Sequence, residues 1–130
     1  MKLLIITAVV LAAAGGLILI SPKSNSTNSA PSLTMHTVQR DVAAGGQLID
    51  VRTIAEYAAG HIDGAINLPV QNIQAGTMPS IAKTKPVYVY CHSGNRSTQA
   101  TIALKTAGYQ NITDLGAIAH VQSIGGIIKN

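Results

Sequence analysis

The sequence predicts an α/β domain in which a central parallel sheet of about five strands carries helices on both faces. Three observations predict it. Beyond residue 33, short apolar β-type runs alternate with helix-compatible segments, the pattern of strands joined by crossover helices. Val87-Tyr88-Val89-Tyr90, entered through Pro86, is a short β-rich run without polar interruption, as expected of a central strand buried on both faces. Ser97–Ala107 places Ala100, Ala103, Leu104 and Ala107 on one helical face, with Lys105 in the last turn and Gly108 as a stop.

In chain order, the strand candidates are Met35–Val38, Leu48–Val51, Ala65–Leu68, Val87–Tyr90 and Ile112–Leu115. The helical candidates between them are Gln39–Ala44, Thr53–Ala59, Asn72–Ile81 and Ser97–Ala107. The chain has no Trp or Phe and only four Tyr, so Ile, Val, Leu and Ala must fill the core. Gly125-Gly126 lacks a following helix pattern and a Walker lysine, and reads as a flexible tail.

Three regions are expected: residues 1–20, 21–33 and 34–130. Leu3–Ile20 is an uncharged apolar stretch of 18 residues preceded by Lys2. As a helix it spans about 27 Å, near the thickness of a bilayer core. It is read as an N-terminal membrane anchor or a signal peptide. The Lys2 flank favours a domain outside the cytoplasm, in the periplasm or on the outer face of the membrane, with Lys23 on the other side opposing it. Residues 21–33 are rich in Ser, Asn and Pro and read as a flexible polar linker. The remainder, about 100 residues, suffices for one domain with an ordinary core.

From Pro31 onward seven Lys and Arg residues face five acidic ones, a net charge of +2. These charges are scattered, with no basic run and no interleaved aromatics, which argues against nucleic-acid binding. Nothing points to oligomerisation, and a monomer is expected. His36 and His120 have no Cys or His partner at ligand spacing, so no metal is expected.

Cys91 is the only cysteine, which excludes an intramolecular disulfide and leaves either an inert filler or a reactive thiol. Its surroundings favour the second. It follows a predicted strand, and ligands of open parallel sheets sit at the carboxyl ends of strands. Cys91-His92-Ser93-Gly94-Asn95-Arg96 then leads into the helix starting near Ser97, whose free N–H groups and dipole favour an anion. The amides from His92 to Arg96 can curl around a thiolate as a nest, with Gly94 relieving the tight curve. Arg96 is expected to close the ring with its guanidinium fork. Each feature lowers the thiol pKa, the usual route to a nucleophilic cysteine.

The loop and Ser97 resemble the Cys-x-x-Gly-x-Arg-Ser loop of single-domain rhodanese-like sulfurtransferases. Leu48–Arg52, Glu56-Tyr57 and Gly60–Pro69 resemble the other signature segments of that family, as does the strand Val87–Tyr90. The resemblance runs from about Thr37 to Gly116. It implies a rhodanese-like fold and thiosulfate sulfurtransferase-type activity: Cys91 takes a sulfane sulfur from a small anionic donor as a persulfide and passes it to a thiol or cyanide. It further implies that His92, Ser93, Gly94, Asn95 and Arg96 hold the substrate, and that no cofactor is needed. Cysteine phosphatases resemble it too, but use a Cys-x5-Arg loop. The four residues between Cys91 and Arg96 make a smaller ring, suited to a lone sulfur. A second functional reading is a membrane-tethered sulfur-carrier or binding module without efficient turnover.

Asp50 and Arg52, at a strand end, are read as a salt bridge fixing that end, with orientation of the loop as the alternative. Ser97 joins them as a supporting residue. His61 reads as part of a turn entering a strand, and His92 either adds positive charge when protonated or faces solvent. Two departures stand out. Val121 occupies the place of the family's frequent Trp, which predicts a short or loosely packed C-terminal helix. The loop also lacks a second cation beside Arg96, which predicts weak thiosulfate binding.

Overall fold

In β4 (Pro86–Cys91) every residue after the entering proline is buried. Side chains alternate across a strand. Val87, Val89 and Cys91 therefore enter one hydrophobic cluster, and Tyr88 and Tyr90 the other. A strand sandwiched in this way must be apolar throughout, which accounts for its unbroken run. The structure, a computed structural model, describes residues 30–130.

Four strands form the main sheet. β1 (Gln47–Asp50) and β4 lie at its centre, flanked by β3 (Ile66–Asn67) and β5 (Asn111–Ala117), in the order β3-β1-β4-β5. All pairings are parallel. The register sets Asp50 beside both Tyr90 and Asn67, and Cys91 beside Ala117. The carboxyl ends of β1 and β4 thus lie together, with Asp50 and Cys91 at them. A bulge in β5 between the partners of Val89 and Tyr90 lets Gly116 pair with Tyr90.

Helices cover both faces. α3 (Val70–Gln74) and α4 (Asn95–Thr106) supply Val70, Ile73, Ala100 and Leu104 to the cluster that contains Cys91. On the other face, α1 (Met35–Ala43) and α5 (Ile118–Ser123) bring Met35, Val38 and Val121 against Leu48, Tyr88 and Tyr90. α2 (Ile54–Ala59) follows β1 and has no buried residue of its own. β2 (His61–Ile62) pairs antiparallel with β6 (Ile128–Lys129) in a separate two-stranded ribbon.

The sheet has four strands because Met35–Val38, read from sequence as the first strand, is the start of α1. Met35, Val38 and Val42 recur at helical spacing, and Thr34 accepts the Thr37 N–H as N-cap. Met35-His36-Thr37-Val38 holds only two apolar residues, too few to establish a period by themselves. The helix expected over Asn72–Ile81 is displaced and shorter, ending at Gln74 before Gly76, whose φ is +102°, and Pro79.

The C-terminal residues are not a free tail. β6 seals onto β2, and the Gly126 N–H donates to the Val121 carbonyl at 2.8 Å. A Cβ on Gly126 would stand 2.8 Å from that carbonyl oxygen and 2.9 Å from Val121 Cγ1, so only glycine permits this approach. α5 is short, at six residues, but Val121 within it is fully buried. The returning chain closes over the place where a larger side chain was missing. No helix among the described residues is long and apolar enough to cross a membrane. The expectations for residues 1–20, and for the linker up to residue 29, lie outside those residues.

Candidate functional site

Cys91 is the last residue of β4, and α4 begins at Asn95, two residues earlier than the sequence suggested. The turn between them is therefore only His92-Ser93-Gly94. Gly94 is the N-cap residue with φ +99° and ψ −17°, the left-handed region where a side chain is strained. This conformation aims the Gly94 N–H back at the sulfur, 2.9 Å from Cys91 Sγ.

Burial raises the Cys91 pKa, but opposing hydrogen bonds outweigh it. They come from the Ser97 hydroxyl and from the N–H groups of Ser97, Gly94 and Ser93, and leave the thiol below its ordinary value. The Ser97 N–H belongs to the first turn of α4, where helix donors lack an internal partner. Ser97 is fully buried; as the thiol, Cys91 donates to Ser97 Oγ at 3.6 Å while that hydroxyl donates to the Gly94 carbonyl at 2.9 Å. Cys91 is also fully buried, whereas His92, Ser93 and Asn95 around it are exposed.

Arg96 departs from the sequence reading. Because it sits in the first helical turn rather than in the loop, its side chain leaves the helix surface instead of curling over the sulfur. Its two terminal nitrogens bind the Glu56 carboxylate at 2.6 and 2.8 Å. The charge of Cys91 still acts on Arg96, behind the larger effects of Glu56 and of burial. The sulfur is thus held by amides and a hydroxyl, and the guanidinium by a carboxylate.

Glu56, part of a family-like segment in the sequence, had no role assigned to it there. It accepts from the Thr53 N–H and Oγ, both at 3.0 Å, while the Glu56 N–H donates to Thr53 Oγ, forming a capping box at the start of α2. Thr53-x-x-Glu56 was a readable signal for the cap. The pairing with Arg96, 40 residues on, had no local signal. Arg96 foremost, with the Thr53 bonds behind it, holds the Glu56 carboxyl well below the usual carboxylate range against the opposing effect of burial.

Asp50 and Arg52 form a buried pair that holds the end of β1. Arg52 Nε and a terminal nitrogen reach the carboxylate at 3.0 and 2.6 Å, and the same nitrogen donates to the Gly60 carbonyl at 2.7 Å. Asn67 Nδ2 donates to the carbonyls of Asp50 and Arg52, both at 3.0 Å. His61 stacks on Tyr57 with ring centroids 3.7 Å apart, and its Nδ1 lies 3.0 Å from the Tyr57 carbonyl oxygen. His36 and His120 are exposed on α1 and α5.

A parallel α/β sheet presenting a buried, anion-stabilised thiol at a strand-to-helix turn defines a class of cysteine-dependent group-transfer sites. A model of the rhodanese-like domain family matches residues 34–117, and the chain belongs to that family. It is 35% identical over 97 residues to a chloroplastic thiosulfate sulfurtransferase of Arabidopsis thaliana, covering 65% of this chain and 81% of the relative. It is 32% identical over 81 residues to the thiosulfate sulfurtransferase PspE of Escherichia coli, covering 62% and 78%. Against YrkF of Bacillus subtilis, 27% identical, it covers 71% of its own length and spans half that of the relative. The structure of a human single-domain sulfurtransferase superposes with a TM-score of 0.58 at 26% identity, covering 72% of this chain and 96% of the other.

Proposed function

We propose that this protein is a sulfurtransferase that carries sulfane sulfur on Cys91. The observation that carries the reading is the stabilised sulfur itself, with the Gly94 N–H at 2.9 Å and further donors from the first turn of α4. With thiosulfate, the Cys91 thiolate attacks the outer sulfur. A new S–S bond forms at Sγ, the bond to the sulfite sulfur breaks, and its electron pair leaves with sulfite. The persulfide keeps one negative charge, which the same turn is suited to hold. An acceptor thiolate or cyanide then attacks the outer sulfur and returns Cys91 as thiolate. Each step moves one sulfur and one electron pair, and needs neither a metal nor an organic cofactor. His92, Ser93 and Asn95 form the exposed surround through which small substrates approach, and Asp50, Arg52 and Ser97 support the turn. The apolar stretch at residues 3–20 supports a location outside the cytoplasm.

The test is steady-state sulfur transfer from thiosulfate to cyanide, with intact mass measured after donor exposure. The parent protein turns over and gains the mass of one sulfur atom, and Cys91→Ser does neither. Alkylation of Cys91 follows a pH profile centred below that of a free cysteine, about 8.5. A parent that neither turns over nor retains sulfur favours the binding-module reading.

A further inference from the structure

Building on that sulfur-transfer reading, the geometry points to Glu56 as a specificity-determining residue that weights the site against doubly charged donors such as thiosulfate. It favours instead persulfides whose only negative charge is on the reacting sulfur. The observation behind this is the occupied fork of Arg96. Both of its terminal nitrogens lie on one carboxylate, a bidentate arrangement that occupies the end of the guanidinium fork and neutralises its charge. Glu56 is held from the other side by the Thr53 N–H and hydroxyl, so it does not swing away without opening the start of α2.

Other described cations do not replace the neutralised charge. Arg52 is taken by Asp50 and the Gly60 carbonyl, Lys129 by Asp63, and Arg40, on α1, by Asp41. Lys83 and Lys85 donate to the carbonyls of Ala107 and Ala44, at the end of the sheet away from Cys91. Lys105 lies in the last turn of α4, whereas the sulfur faces the first. A dianion approaching Cys91 therefore meets an Arg96–Glu56 pair of zero net charge. It takes the two-nitrogen fork of Arg96 only by displacing Glu56. A donor that binds through the reacting sulfur alone uses the amides of the turn and has no need of the guanidinium.

The experiment compares KM and kcat of the full chain for two donors, thiosulfate and the persulfide of 2-mercaptoethanol, with cyanide as acceptor. Glu56→Gln removes the charge but retains a carbonyl for the Thr53 N–H. It is expected to lower KM for thiosulfate about tenfold, as unmasking one cation at a partly enclosed site does. Its kcat and the persulfide KM change less than about twofold by the same reasoning. Glu56→Asp, which keeps the charge, stays near the parent. Thr53→Ala, which removes one of the two bonds that hold Glu56 in place, shifts the ratio of the two KM values in the same direction as Glu56→Gln and by less. Equal changes for both donors, or a change in kcat alone, overturn the assignment and make Glu56 purely structural. If Glu56→Gln does not fold, the parent decides. Its thiosulfate KM is expected to vary little with ionic strength, and a steep rise with salt reveals an unmasked cation and sinks the proposal. Failure of the sulfur-transfer reading itself is distinct: the parent then forms no persulfide with either donor.

Discussion

Two carboxylate–guanidinium pairs draw their carboxylates from Asp50 and Glu56, six positions apart in sequence, and their shortest contacts are equal. Asp50–Arg52 closes at 2.6 Å and Glu56–Arg96 at 2.6 Å. Their surroundings are not the same. The Asp50 and Arg52 side chains are 0% and 8% exposed, those of Glu56 and Arg96 35% and 27%. Arg52 also carries the Gly60 carbonyl and lies 5.9 Å from the centroid of the Tyr90 ring. In the first pair each charge depends on its partner, since water cannot replace it. At the second, solvent compensates a lost partner, so the pair contributes little to stability and acts chiefly through its charge. The two are also linked electrostatically. Arg52 responds to the charge of Glu56, and Arg96 to those of Glu56, Cys91 and Asp50. Charges thus alternate from the buried end of β1 to the reactive sulfur, with structure at one end and chemistry at the other.

The sharpest way to break this contrast is Asp50→Ala. It leaves Arg52 buried without its counter-charge and is expected to cost about 3–5 kcal/mol in denaturant unfolding. A loss near that of an exposed pair would erase the distinction. Tyr90→Phe probes the same buried region more gently. The Tyr90 hydroxyl accepts the buried Ile62 N–H at 3.0 Å. Its removal leaves that donor unpaired, at a cost of about 1–3 kcal/mol. Unchanged stability would mean that water reaches Ile62, contrary to its full burial.

The smallest effect belongs to the exposed pair. Arg96 lowers the pKa of Glu56 in the folded protein. The associated stability is therefore fully present above the unfolded glutamate value, about 4.3, and is lost as pH falls below it towards the folded value. Solvent screening limits it to less than about 1 kcal/mol. Glu56→Gln is expected to flatten the acid side of the stability–pH curve by that amount and to leave neutral stability within the same range. A drop of several kcal/mol at neutral pH would show that Glu56 is as structural as Asp50.

Much of this arrangement was legible in the amino acids. The unbroken run Val87–Tyr90 identified a strand covered on both faces, because only such a strand has no polar side to show. Cys91 after that strand, Gly94 before a helix, and Ser97 within it followed from local rules for strand ends and helix starts. The pairing of Asp50 with Arg52 was readable because two residues along a strand end place both side chains on one side. Less legible were short segments. Met35–Val38 has too few residues to separate a period of two from one of 3.6, and only packing against Leu48 and Tyr88 selects the helix.

The chemistry available at the turn follows from residues adjacent in the chain: one thiol, a glycine able to adopt positive φ, and helix amides left free to face an anion. These depend on neighbours along the chain, so local rules suffice. Where the cation's charge goes depends instead on long-range packing. Starting α4 at Asn95 carried Arg96 outward, and the fold of β1 into α2 brought Glu56 to meet it. That meeting joins residues 40 positions apart, and no local periodicity records it. The packing of the C-terminus is of the same kind. Gly126 closes onto Val121 because β6 finds its partner in β2, more than 60 residues earlier in the chain.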